Sequence, residues 1–123
     1  MATLNLSGIL VEMDTAKCRA DVQPLLERIK AYLKQRFGDG IEAVLLYGSY
    51  ARGSATSDSD VDLLILTNDS LNPREVRKSL SNLLYDILLE EGELVSVLVI
   101  PNSLYNPQSS PFLFQVHKEA ISV

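Results

Sequence analysis

Apolar and polar positions alternate along the chain in two rhythms, and the changeovers between them mark the elements. Val22, Leu25, Leu26, Ile29 and Leu33 recur at helical spacing. They predict a helix capped by Asp21 and stopped at Gly38, with Pro24 tolerated because it falls in the first turn. Ile41 to Tyr47 is apolar apart from Glu42 and Ala43's small side chain, and predicts a first strand. A glycine-serine turn at Gly48 and Ser49, a helical turn over Tyr50 to Gly53 and a small polar loop from Ser54 to Ser59 lead into a second strand, Asp60 to Leu66. Asn72, Pro73 and Glu75 then supply a cap, a proline at the first helical position and a glutamate able to reach back. Val76, Leu80, Leu83, Leu84, Ile87 and Leu88 form the buried stripe of that helix, and Gly92 ends it. Leu94 to Ile100 reads as a third strand stopped by Pro101, and Ser110 with Pro111 starts a last short helix ending near Ala120.

The first two strands are apolar at nearly every position, which is the pattern of strands buried on both faces. The expected fold class is therefore α/β, a small mixed sheet packed with helices. Residues 21–123 make up that domain. Residues 1–20 are expected to form an arm of undetermined structure, in which Leu4, Leu6, Ile9, Leu10 and Val11 supply either an extra strand or a contact to a neighbouring chain.

Composition narrows the function classes. A chain of 123 residues fits one domain with one core. A formal charge of -5 argues against a broad nucleic-acid surface, which would cluster lysine and arginine. The single cysteine, Cys18, cannot form an internal disulfide, and no basic stretch precedes a long apolar run. A cytoplasmic protein without a membrane span is the expectation.

The chemistry concentrates in residues 48 to 62. Asp60 and Asp62 are two positions apart, so on an extended strand both carboxylates leave one face, about 6 to 7 Å apart at the backbone. Asp62 lies inside the apolar run Val61 to Leu66, where an uncompensated carboxylate would lose roughly several kcal/mol of hydration. A bound cation offsets that loss, and hard oxygen ligands favour Mg2+ or Mn2+. Gly48 allows close backbone approach, and Ser49 with nearby amides offers donors to phosphate oxygens. Arg52 either joins them or bridges the turn to Asp58 or another carboxylate. Asp58 reads as a solvated turn residue, and Glu90, Glu91 and Glu93 as a solvated helix end. His117 reads as a surface or interface residue, and Tyr47 as a base-stacking side chain or a buried strand end.

Gly48-Ser49, ten intervening residues and then Asp60-Val61-Asp62 between two apolar strands resemble the signature of the nucleotidyltransferase superfamily with the DNA polymerase beta type fold. The short chain resembles its minimal nucleotidyltransferases. The resemblance covers Ile41 to Ile100 in pattern. It implies the nucleotidyltransferase fold and metal-dependent transfer of a nucleoside monophosphate, AMP from ATP, to an acceptor hydroxyl, possible on a partner protein. Asp60 and Asp62 would be catalytic and metal-binding, and Gly48, Ser49 and Arg52 nucleotide-binding. It also implies a small helical partner of the HEPN type, for which this chain would be the antitoxin. The superfamily's third carboxylate is replaced by Ser96, and Glu93 falls on the opposite strand face. The alternative is thus a nucleotide-binding, partner-neutralising module with weak or no catalysis.

Overall fold

The computed structural model describes the backbone of residues 2–4 and 10–12 and the chain from 17 to 123. The first two segments, β1 (Ala2–Leu4) and β2 (Leu10–Glu12), pair antiparallel. Leu6 and Ile9, expected to belong to an arm, lie outside the described residues.

Helix α1 (Arg19–Phe37) starts three residues earlier than the apolar spacing suggests. Asp21 caps it from within: its carboxylate accepts the Cys18 amide at 2.8 Å. Pro24 consequently falls in the second turn rather than the first, and its missing N–H deprives α1 of one helical hydrogen bond. Gly38 ends the helix with φ 56°. Strand β3 (Ile41–Tyr47) follows with the expected bounds, then the four-residue helix α2 (Ser49–Arg52). Strands β4 (Val61–Thr67) and β5 (Val95–Pro101) each begin one residue later than expected. Between them runs α3 (Pro73–Glu91), whose Asn72 cap accepts the Arg74 amide at 2.9 Å. Helix α4 (Pro111–Glu119), capped by Ser110, leads into β6 (Ile121–Ser122), a two-residue strand that the sequence pattern does not announce.

The main sheet has the order β5-β4-β3-β6. Strands β3 and β4 are antiparallel, β4 and β5 parallel, and β6 antiparallel to β3, which makes the sheet mixed as expected. Helices α1 and α3 cover one face. Val22, Leu25, Leu26, Ile29 and Leu33 of α1 and Val76, Leu80, Leu84 and Ile87 of α3 close over Val44, Leu46, Leu63 and Ile65. Each such side chain stabilises the fold by about 1.5 to 3 kcal/mol relative to exposure. Helix α4 covers the other face with a smaller cluster, Leu64, Leu66, Leu113 and Val116, against Leu45, Tyr47 and Ala120. Strand β5 is an edge; Leu98 on it and Leu94 just before it are exposed, as are Tyr85, Leu88 and Leu89 of α3.

Candidate active site

Strand β3 ends at Tyr47 and the chain turns through Gly48, whose φ of 78° favours glycine. A side chain is excluded there for a second reason. A Cβ at Gly48 would stand 2.3 Å from Asp62 Oδ2, so only glycine lets that carboxylate lie directly on the turn. Helix α2 then anchors the turn: the Arg52 amide donates to the Gly48 carbonyl at 3.0 Å, and buried Tyr50 ties the segment to the core. Ser49 is half-buried and Arg52 projects outward.

The loop that follows is held by its own short side chains. Ser59 Oγ accepts the Thr56 amide at 2.9 Å, and the Asp58 amide donates to Thr56 Oγ1 at 3.3 Å. Asp58 is exposed, in keeping with a solvated turn residue. Asp60 stands exposed one residue ahead of β4, and Asp62 is half-buried as the second residue of that strand. Strand register puts Tyr47, Asp62 and Ser96 in one row across β3, β4 and β5, on the face that α4 covers. Burial pushes the Asp62 carboxyl up, the Asp60 charge adds to it, Arg52 opposes it and Glu119 adds again. Asp62 is therefore a carboxylate held at an energetic cost, with a second acid close enough to raise it further.

Ser96 lies directly beside Asp62 in the parallel ladder, at the position from which a third acid would reach the site. Glu93 does not reach it. It is buried on the opposite side, ion-paired with Lys17 and 3.3 Å from the Tyr50 hydroxyl, and so is not part of a solvated helix end as the local sequence suggests. Its partner, 76 positions away, supplies the compensation that burial demands. Glu90 does remain at the surface, paired with Arg28 at 2.7 Å.

Glu119, absent from the residues expected from sequence, is central to the observed geometry. It occupies the last turn of α4, and β6 returns beside β3 so that its carboxylate meets the Gly48 turn. Oε1 accepts the Gly48 amide at 2.9 Å, Arg52 Nη1 lies 3.2 Å from both oxygens, and Gln115 Nε2 donates to Oε2 at 3.1 Å. Burial pushes this carboxyl up, but the hydrogen bonds from Gly48, Gln115 and Arg52 and the Arg52 charge outweigh it and hold it below the ordinary range. One signal was present in the sequence. An acid in the last turn of a helix opposes the helix dipole, a mild local cost that a partner outside the helix can offset but that does not name the partner. Arg52 thus bridges to a carboxylate, although a different one from Asp58. Tyr47 is half-buried with its ring edge-on to Phe112 at 5.6 Å, and its hydroxyl is pushed up by burial and by Asp62 and Glu119. His117 is exposed, tilted against Tyr105 at 6.2 Å.

Asp60 and Asp62 are oxygen donors suited to a hard divalent cation, and the lack of a Cβ at Gly48 leaves room for the Asp62 carboxylate against the turn. Among the described residues no group of three or more His, Cys, Asp or Glu side chains gathers around a common point. The acidic pair fits a cation only with further ligands from water or substrate. A concavity of about 540 Å³ opens elsewhere, between α1 and the β3-β6 edge, lined by Lys30, Lys34, Asp39 and Glu42, and holds neither the acidic pair nor the turn. Among the described residues no helix is long and apolar enough to cross a membrane.

A small mixed sheet with a glycine-serine turn facing an Asp-x-Asp strand start is the arrangement of a nucleotidyltransferase. The model of the nucleotidyltransferase domain family matches residues 26–119, and the chain belongs to that family. It is 34% identical over 91 residues to "Putative protein adenylyltransferase MJ1305" of Methanocaldococcus jannaschii, an alignment covering 72% of this chain and 62% of that relative. It is 32% identical over 93 residues to "Putative protein adenylyltransferase MJ0126" of the same organism, covering 74% of this chain and 86% of the relative. Among solved structures it is similar to one described as "Crystal structure of the toxin-antitoxin with AMP-PNP", at 20% identity and a TM-score of 0.46, covering 78% of this chain and 70% of that one.

Proposed function

We propose that this chain is a metal-dependent nucleotidyltransferase that moves AMP from ATP to an acceptor hydroxyl, with a protein as the acceptor. The observation that carries the reading is Asp62. A carboxylate is kept half-buried against a glycine that has room for nothing else, with its pKa raised by burial and by Asp60, inside the residues that the family model matches. Natural proteins retain such a costly group where function requires it. The names of the two relatives, both protein adenylyltransferases, support adenylyl transfer to protein.

In the reaction the acceptor oxygen attacks the α-phosphorus of ATP, the bond from that phosphorus to the bridging oxygen of the β-phosphate breaks, and pyrophosphate leaves. The acceptor's proton passes to water, since Ser96 is no base. Asp60 and Asp62 would hold Mg2+ or Mn2+, which when bound supplies charge neutralisation at the phosphoryl oxygens. In this reading Gly48, Ser49 and Arg52 bind and orient the triphosphate beside the row formed by Tyr47, Asp62 and Ser96. A test is incubation with Mg2+, ATP labelled at the α-phosphate and a candidate acceptor. Label should reach the acceptor with the parent chain and be lost in Asp60→Asn and Asp62→Asn. Label that persists in both variants would remove the reading.

Ser96 specifically favours a second reading, a nucleotide-binding module that neutralises a small helical partner of the HEPN type without efficient transfer. Tight binding of partner and Mg2+·ATP with no label transferred is the result that would select it.

A further inference from the structure

The groups best placed to receive phosphate already hold an anion, and it belongs to the chain itself. The Glu119 carboxylate takes the Gly48 amide and Arg52, with Gln115 of its own helix steadying its outer oxygen. A carboxylate and a phosphate present similar oxygen pairs to an amide and a guanidinium, so one can stand where the other would bind. The seat is well made: the Glu119 side chain is only 11% exposed, whereas Arg52, at 50%, is open to an incoming ligand. Helix α4 brings Glu119 here, and β6 pairs with β3 just beyond it.

We propose that Glu119 is an internal competitor for the polyphosphate subsite, a gate that must swing away from Gly48 and Arg52 before a triphosphate can engage them. The proposal rests on the nucleotide-binding reading of this site and specifies how that binding is regulated. Glu119 both fills the seat and adds negative charge beside Asp60 and Asp62, so its departure frees a cation and relieves repulsion in one movement. A partner or acceptor that draws α4 outward would thereby raise the affinity for nucleotide. A seat left vacant about a tenth of the time weakens apparent affinity about tenfold.

The test compares the parent chain with Glu119→Gln, which keeps the shape and removes the charge, and Glu119→Ala, which empties the seat. Each is titrated with Mg2+·ATP and, separately, with tripolyphosphate in the absence of metal. Asp58→Asn controls for loss of one negative charge from the exposed loop between α2 and β4. Both Glu119 variants are expected to bind both probes about tenfold more tightly. Asp58→Asn should change affinity less than twofold, and adding Arg52→Met to Glu119→Gln should abolish the gain. Equal or weaker tripolyphosphate binding by Glu119→Gln overturns the gate, as does an equal gain from Asp58→Asn. Should no chain bind Mg2+·ATP while Glu119→Gln gains tripolyphosphate, the gate stands as an anion seat and the nucleotide reading falls. A second readout uses the unaltered chain: the Gly48 amide resonance should shift as tripolyphosphate displaces Glu119, and an unmoved resonance at saturation overturns the proposal.

Discussion

The two faces of the sheet are built to different standards. Under α1 and α3 the strands present Val44, Leu46, Leu63 and Ile65 to two long amphipathic helices, and nearly everything there is apolar and closed. Under α4 the same strands present Leu64 and Leu66, but also Asp62, Ser96 and the Gly48 turn, beneath a helix of nine residues. One face supplies stability and the other gives some of it up. A period-two strand makes the division possible, because adjacent residues of β4 belong to opposite faces and can be selected independently.

That contrast can be broken from either side. Asp62→Asn should reduce nucleotide transfer at least a thousandfold, about 4 kcal/mol in the barrier. Thermal melting should not fall and should rise by a few degrees, because a desolvated charge has been removed. Leu63→Ala, one residue along and on the other face, should do the reverse, with about 2 to 5 kcal/mol lost in denaturant unfolding and transfer surviving in whatever remains folded. Gly48→Ala combines a strained φ with the 2.3 Å collision at Asp62. It should lower transfer about a hundredfold while moving the melting temperature far less than Leu63→Ala does. Ser96→Asp puts a third acid beside Asp62, and should raise Mg2+ affinity about tenfold in calorimetry while destabilising the metal-free chain through added repulsion.

The smallest effect is the dependence on pH. Because the folded-state pKa of Asp62 is raised above its ordinary value of 3.8, the folded chain binds the proton more tightly than the unfolded one. Stability of the metal-free chain should therefore fall as pH climbs from the ordinary value through the raised one, and Mg2+ affinity should rise over the same window. Glu119 has the opposite sign: its contribution is present above the ordinary value of 4.5 and is lost as pH falls through its depressed folded value. Unfolding curves of the parent chain and Asp62→Asn across that range separate the two, since the Asp62 slope disappears from the variant.

Much of this was legible in the sequence, and the reasons are physical. Strand β3, the stops at Gly38 and Gly92 and the caps at Asn72 and Ser110 follow from local pattern and local chemistry. The one-residue offsets at β4 and β5 arise because ladder pairing, with Val61 opposite Val95, sets where a strand starts, and Asp60 stays outside it. The start of α1 was misplaced because Asp21 caps from inside the first turn, a role that composition does not distinguish from a flanking cap. Glu93 and Glu119 were out of reach of local reading. Their partners, Lys17 and Arg52, lie 76 and 67 positions away and meet them only through closure of the whole sheet.

The brevity of β6 also has a kinetic meaning. Two residues paired to β3, with the Val123 amide on the Val44 carbonyl, constitute a ladder that can fray without disturbing the buried strands beside it. Amide protons at Ile121 to Val123 should trade with deuterated solvent long before those of Leu63 to Ile65. The pairing that follows Glu119 would then be renewed on its own clock, many times within a single lifetime of the closed core.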